Sequence, residues 1–525
     1  MRDFELPGRS PTLATNGMVA TSHPLAARAA LRILEDGGNA VDAAIAGAVL
    51  LGIAEPQSTG IGGDLFALVK PAGEERVIAL NGSGRAPMGL SAAALRAQGL
   101  KTIGTESPHS VTIPGAVDAF CRLSARFGRL GLADSLAPAI RYADQGIPIA
   151  PRVAFDWSDE VDWMTHDARR HFSKGGAPLA TGDIFRAPGQ AEVLRRIARD
   201  GRAAFYEGEV AEDMLAALHA LGGTHSPDDF AATEATWGEP VAGSFAGHEL
   251  LEHPPNGQGA TAILMLNILK RFNLAALDPF GAARAHLEAE AAKLAYDARD
   301  RFIADPSLAT RLPHILSADT ADRLAALIDP ARAMPMPPPG AEAVHRDTVL
   351  ITVVDADRMA VSLIYSVFDS FGSGIASPKF GIVLQNRGAG FTLTERHPNE
   401  AGPGKRPLHT IIPAMLKKEG RVTVPFGVMG GHYQACGHAR LVTNLLTYGM
   451  DVQEAIDGPR CFPKAGRLLV ERGYSGKVRA ELASLGHDLV APDEPIGGAQ
   501  AILIGADGVL WGGSDPRKDG CALGY

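Results

Sequence analysis

Two runs of apolar, largely β-branched residues, Thr348–Val354 and Ala360–Val367, flank the charged turn Asp355-Ala356-Asp357-Arg358. Runs of that composition around a polar turn predict a β-hairpin. Just upstream, Met334-Pro335-Met336-Pro337-Pro338-Pro339-Gly340 cannot lie inside a helix or strand and reads as an exposed linker. Thr348 therefore heads a buried strand behind a loose segment. If the Asp347–Thr348 bond were cut, Thr348 would carry a hydroxyl and a free α-amine on one residue. An unperturbed α-amine has a pKa of about 7.7–8.0 and can act as the hydroxyl's own base near neutrality.

The surrounding chain sets the class. With 46% hydrophobic and 21% charged residues, it has the composition of an ordinary globular protein. A formal net charge of −9 gives no pull toward nucleic acid or an anionic membrane. Met1-Arg2-Asp3-Phe4-Glu5 carries acids and no apolar h-region, so no signal peptide is expected and a cytoplasmic location is. Cys121, Cys436, Cys461 and Cys521 are scattered without a CxxC pair and read as free thiols. The uncharged stretch Ala43–Ala54 is too short to span a membrane and predicts a buried helix.

Before Thr348 the pattern is mostly helical. Thr21-Ser22-His23-Pro24 starts a helix, and Val41–Ile53 is a second, apolar on all faces. Asp64–Val69 and Arg76–Leu80 predict a strand and its hairpin partner. The Gly60-Ile61-Gly62-Gly63 loop precedes that strand instead of joining a strand to a helix, so it lacks a dinucleotide-binding context. Between Ser91 and Asp329 helices are predicted at Glu192–Arg199, Glu209–Leu221, Ala260–Arg271 and Ala282–Ile303. The last has alternating charges on one face and reads there as a solvated surface. After Thr348 strands are predicted at Gly381–Gln385, Ile411–Lys417, Val422–Val428, Gln500–Ile504 and Val509–Trp511. Helices are predicted at Ala439–Tyr448, Val452–Ile456 and Ser475–Leu485. Hairpins with helices on either side predict an α+β layered fold.

A set of motifs in fixed order resembles the γ-glutamyltranspeptidase family of self-cleaving N-terminal-nucleophile (Ntn) hydrolases. It comprises Gly38-Asn39-Ala40-Val41-Asp42, Gly60-Ile61-Gly62-Gly63-Asp64, Thr348 with Val353-Val354-Asp355, Phe371-Gly372-Ser373-Gly374 and Leu384-Gln385-Asn386. Lys405-Arg406-Pro407-Leu408, Gly430-Gly431 and Ser514-Asp515-Pro516-Arg517 complete it. The resemblance implies a four-layer αββα sandwich and cleavage between Asp347 and Thr348. The products would be a large fragment, 1–347, and a small one, 348–525, that stay together as one structural unit. It implies Thr348 as nucleophile, Ser366 as the hydroxyl that orients it, and Gly430 and Gly431 as the oxyanion hole. No cofactor or metal is implied, and Gly431–His438, with two histidines and a cysteine, fits no standard zinc spacing.

The substrate side departs from the family. Gly390 falls where an aspartate is expected, Arg387 where a glutamine is, and Phe368 where an asparagine is. His409-Thr410 replaces a serine pair. The family's carboxylate-binding arginine is missing in register, with Arg85 two places later. Arg85 reads either as a pocket cation or as a surface arginine in a turn, and His409 either as a pocket or as a core histidine. A pocket built from Arg85, Asn386, Arg387, His409 and Thr410, without an acid, would take an anionic acyl group and penalise an ammonium. The expected activity is hydrolysis of an oxamate-like or glutaryl-like amide. A short segment between Phe391 and Lys405 suggests an open site, which suits hydrolysis over transfer. The rival readings are a conventional γ-glutamyl transferase or glutathione hydrolase, and an uncleaved binding or scaffold protein.

Overall fold

A computed structural model describes residues 4–5, 8–335 and 348–525. Asp347 and linker residues 336–340 lie outside that set. Two seven-stranded sheets carry the fold. In chain order their strands are β1 (Thr12–Ala14), β2 (Met18–Thr21), β3 (Asp64–Lys70), β4 (Ile78–Gly82), β5 (Thr236–Gly238), β6 (Val241–Phe245), β7 (His248–Glu252), β8 (Val349–Val354), β9 (Ala360–Ser366), β10 (Ala414–Lys418), β11 (Arg421–Met429), β12 (Gly498–Ile504), β13 (Leu510–Ser514) and β14 (Cys521–Gly524). One sheet runs β14-β2-β8-β9-β3-β4-β5 and the other β1-β13-β12-β11-β10-β7-β6. The predicted hairpin is β8–β9, antiparallel with Val349 opposite Tyr365 and Val354 opposite Ala360. It occupies the middle of its sheet, between β2 and β3. Strands from before and after Thr348 are thus interleaved within one hydrogen-bonded sheet, with β2 and β3 flanking the β8–β9 hairpin.

Alternation along β8 builds the layers. Val349, Ile351 and Val353 pack under α1 (Pro24–Glu35) and α2 (Ala40–Ala54). Leu350 points the other way, into a small core with Phe66, Ile364, Ile411 and Met429 between the sheets. The second sheet's outer face, with Leu416, Val424, Phe426 and Val428, is covered by α3 (Gly259–Leu269), α4 (Ala282–Phe302) and α5 (Gln434–Leu446). The result is the α+β, αββα sandwich. Asn39 opens α2 with a reciprocal capping box to Asp42. Every residue of α2 is buried, so the uncharged stretch is a central core helix. Among the described residues no helix is long and apolar enough to cross a membrane.

Three expectations fail for physical reasons. β5, β6 and β7 lie inside the stretch read as helical, because these short strands, β5 and β6 at sheet edges and β7 next to β6, carry mixed polar and apolar sequence. Gly381–Gln385 is extended but forms no strand; it is held by turn bonds such as Leu384 N–H to Ile375 O, 2.9 Å, and Gln385 N–H to Gly62 O, 3.0 Å. Most of the charged face of α4 is not solvated: Arg284, Glu288, Glu290, Lys293 and Arg299 are all buried, and only the last turn, with Asp300 and Arg301, is exposed. Arg284 pairs with Glu288, Lys293 with Glu290 and Arg299 with Asp300.

Candidate active site

The β8–β9 register, extended by one step, sets Thr348 opposite Ser366, and their hydroxyl oxygens lie 3.3 Å apart. The β9–β3 register sets Ser366 opposite Asp64. Directly opposed residues project to the same face, so three polar side chains form a row across three strands. All three are buried. Ser366 Oγ accepts the Phe368 N–H at 2.9 Å and an Arg387 N–H, through Nη2, at 3.4 Å.

Arg387 is the cation of this row. It sits in a short helical turn after Asn386 and is wholly buried. Nη1 donates to Thr410 Oγ1 at 2.9 Å, and the guanidinium lies over the Phe368 ring, 3.8 Å from its centroid. Nε has no hydrogen-bond partner, and no carboxylate among the described residues is within ion-pair contact. Burial lowers its pKa to about 9, with Asp64 and Asp369 opposing, so it remains cationic at neutral pH. The site therefore does hold acids near Arg387, contrary to the reading of a pocket without one. Asp369 is bound by Asn386, whose Nδ2 donates to Asp369 Oδ2 at 3.0 Å and whose Oδ1 accepts the Asp369 N–H at 3.1 Å.

Asp64 acts as a hub. Its Oδ1 accepts from Gly84 N–H (2.8 Å), Gly115 N–H (3.2 Å) and Gln385 Nε2 (2.7 Å). Burial pushes its pKa up to about 6, opposed by Arg387 and these donors. Oδ2 lies 3.1 Å from His409 Nε2. His409 Nδ1 faces the Ile411 N–H at 3.4 Å, which assigns the Nε2–H tautomer. Both ring nitrogens are used inside the protein, and burial, with Arg387 nearby, holds the imidazole neutral. Arg85 is half-exposed; it donates to Gly404 O at 2.9 Å and faces Asp305 Oδ2 at 3.5 Å. The structure thus joins Thr348, Ser366, Arg387 and Thr410 in one hydrogen-bonded chain, Asn386 adjoins it through Asp369, and Arg85 makes its contacts elsewhere.

Gly430 and Gly431 follow β11 directly, with φ of 113° and 54°. A Cβ on Gly430 would stand 2.7 Å from Gly497 Cα, so both conformation and space require glycine. Successive amides in such a turn form a concavity suited to an anion. Gln258 was missed by sequence reasoning. Its Nε2 donates to Thr410 O (2.7 Å) and Gly431 O (3.1 Å), and Arg299 Nη1 holds its Oε1 at 2.9 Å. It ties the Arg387–Thr410 side to the glycine turn. The signal was an uncharged amide in Pro254-Pro255-Asn256-Gly257-Gln258, just before an apolar helix.

His432 and His438 part company, His432 to Arg299 (2.7 Å) and His438 to Glu252 (2.7 Å). A different trio, His286, Glu290 and His487, brings possible metal-ligating atoms together. There His286 Nδ1 and His487 Nε2 hydrogen-bond at 2.8 Å and the Lys293 ammonium already sits 2.6 Å from Glu290. That arrangement is a closed hydrogen-bond network.

A profile of the family described as gamma-glutamyltranspeptidase matches residues 26–525. The chain is 35% identical to a glutathione hydrolase-like YwrD proenzyme of Bacillus subtilis, over 98% of this chain and 99% of that one. It is also 35% identical to an oxamate amidohydrolase proenzyme of Klebsiella pneumoniae, over 98% of this chain and 100% of the other. A crystal structure of cephalosporin acylase from Bacillus halodurans superposes with a TM-score of 0.93 at 38% identity, covering 100% of this chain and 99% of that one.

Proposed function

The chain belongs to the gamma-glutamyltranspeptidase family, and within it we propose a self-cleaving amidohydrolase for small acyl groups that carry a carboxylate. Relatives named as proenzymes support cleavage; here it would break the Asp347–Thr348 peptide bond and leave Thr348 with a free α-amine. The amine takes the Thr348 hydroxyl proton, Oγ1 attacks the amide carbonyl, and the Gly430–Gly431 turn receives the oxyanion. Collapse expels the amine, which leaves with the proton that the α-amine took. Water, losing a proton to the same α-amine, then releases the acid from the acyl-threonine. Ser366 holds the nucleophile's oxygen in place.

One observation carries the substrate class. Arg387 is a buried cation that no carboxylate among the described residues contacts, two hydrogen bonds from Thr348 through Ser366. A buried charge balanced only at a distance, here by Asp64 and Asp369, is costly, and an acyl carboxylate would supply a counter-ion in direct contact. The names oxamate amidohydrolase and cephalosporin acylase agree with that class. The second reading, a γ-glutamyl hydrolase or transferase, rests on Asp369, the carboxylate nearest in kind to what an ammonium would need. Assay of processed protein on oxamate, a glutaryl anilide and a γ-glutamyl anilide separates them. The anionic-acyl amides are expected to lead in kcat/KM; a tenfold or greater preference for the γ-glutamyl compound would overturn the proposal.

A further inference from the structure

We infer that Phe368 is a specificity-determining positioning residue: its ring is the platform that holds the Arg387 guanidinium ready for a substrate carboxylate. This rests on the anionic-acyl reading and adds to it the residue that makes the cation usable.

The backbone is the first observation. Phe368 has φ 87°, a region that bulky side chains rarely enter and that persists only where the surroundings fix it. A hydrogen bond fixes it: the Phe368 N–H donates to Ser366 Oγ at 2.9 Å. The same serine oxygen accepts from Arg387 and lies beside Thr348. Strained backbone, nucleophile-positioning hydroxyl and cation are therefore coupled through one atom.

The ring is the second. It is buried, and the guanidinium carbon lies 3.8 Å from its centroid, well inside cation–π range. Among the described residues this is the one aromatic face under Arg387. A flat ring fixes the plane of the guanidinium while consuming none of its N–H donors. Thr410 and Ser366 take one donor on each terminal nitrogen, and Nε stays unpartnered. A carboxylate anchor on Phe368 would have taken those donors and cancelled the charge. The aromatic face keeps Arg387 buried and oriented, with charge and donors left for a substrate.

The test is a double-mutant cycle on processed protein, using oxalyl and glutaryl anilides with butyryl anilide as the neutral acyl comparator. Thermal melts confirm that each variant is folded. F368L keeps an apolar side chain and removes the π face; F368Y restores it. F368L is expected to raise KM for the anionic acyl compounds about 5–30-fold, with kcat and the neutral substrate's KM little changed. F368Y should recover most of the loss. In an R387Q background F368L should add nothing, because the group it orients is gone. An F368L effect that is absent, equal for neutral and anionic acyl groups, or fully additive with R387Q overturns the inference alone. If instead R387Q leaves KM for the anionic substrates unaltered, the anionic-acyl reading fails and takes this inference with it.

Discussion

Ser366 and Asp64 stand opposite one another across β9 and β3, and Thr348 extends the row from β8 with its Oγ1 3.3 Å from Ser366 Oγ. The proposed nucleophile is thus held by sheet register. Thr348→Ala is expected to stay a single band near 55 kDa on a denaturing gel and to lose at least ~10³-fold in kcat. Ser366→Ala keeps the chemistry but loosens the oxygen. Its kcat should fall about 10–100-fold with KM nearly constant, and its cleavage should slow in a time course. Full-rate turnover by uncleaved protein would remove the basis of the mechanism.

Gly430→Ala probes the proposed oxyanion turn. The new Cβ would meet Gly497 Cα at 2.7 Å, at a position with φ 113°. Backbone cannot yield to it without re-aiming the amides that follow β11. A kcat loss of about 10²–10³-fold is expected, with a lowered melting temperature and an unchanged substrate preference. Wild-type kcat in a folded variant would move the oxyanion hole elsewhere.

What could be read from sequence was what lies close together along the chain. The β8–β9 hairpin, Thr348 at its head and the Gly430-Gly431 turn are each set by a few neighbouring residues. Contacts between distant segments were hidden. Asp64 meets His409 across 345 positions, and Gln258 bridges to Gly431 across 173. Nothing local distinguishes a pocket histidine from one whose two nitrogens are already bonded. The α4 charges failed likewise: alternating sign describes a solvated face and a buried ion-pair network equally well until the covering elements are placed. Arg387 was legible as a cation in the substrate segment; that it is buried, and on Phe368, was not.

Acid should destabilise the fold through its histidines. Burial lowers His23, His225 and His253 to about 4 and holds His409 well below its usual value, against roughly 6.5 in an unfolded chain. A folded pKa below the unfolded one means that the unfolded state binds more protons, so stability is present above pH ~6.5 and is lost as pH falls toward 4. Asp64, raised to about 6, works in the opposite sense: its contribution is greatest below the unfolded carboxylate pKa and fades as pH rises through 6. The histidines outnumber it. Melting temperature should fall between pH 6.5 and 4, and less steeply in His225→Gln. A flat profile across that window would mean that these imidazoles are not buried neutral.

Glu288 offers a test of how the regions on either side of Thr348 are held together. It lies on α4, upstream of Thr348, and receives Arg284 Nε at 2.8 Å from its own helix and Arg440 Nη1 at 2.5 Å from α5, downstream. Burial alone would raise the carboxyl's pKa, but the two guanidiniums outweigh it and hold the group below its usual value. Glu288→Gln leaves two buried cations facing a neutral amide. Removing one partner of a buried network typically costs about 3–5 kcal/mol, whereas replacing the whole network by apolar groups can be neutral. The single variant should therefore melt well below wild type, and salt should recover little of the loss because the charges are screened from solvent. Joint replacement of Arg284, Glu288 and Arg440 by apolar residues of similar volume should recover most of the stability. A single variant as stable as wild type would show that the trio contributes no more than an exposed ion pair does.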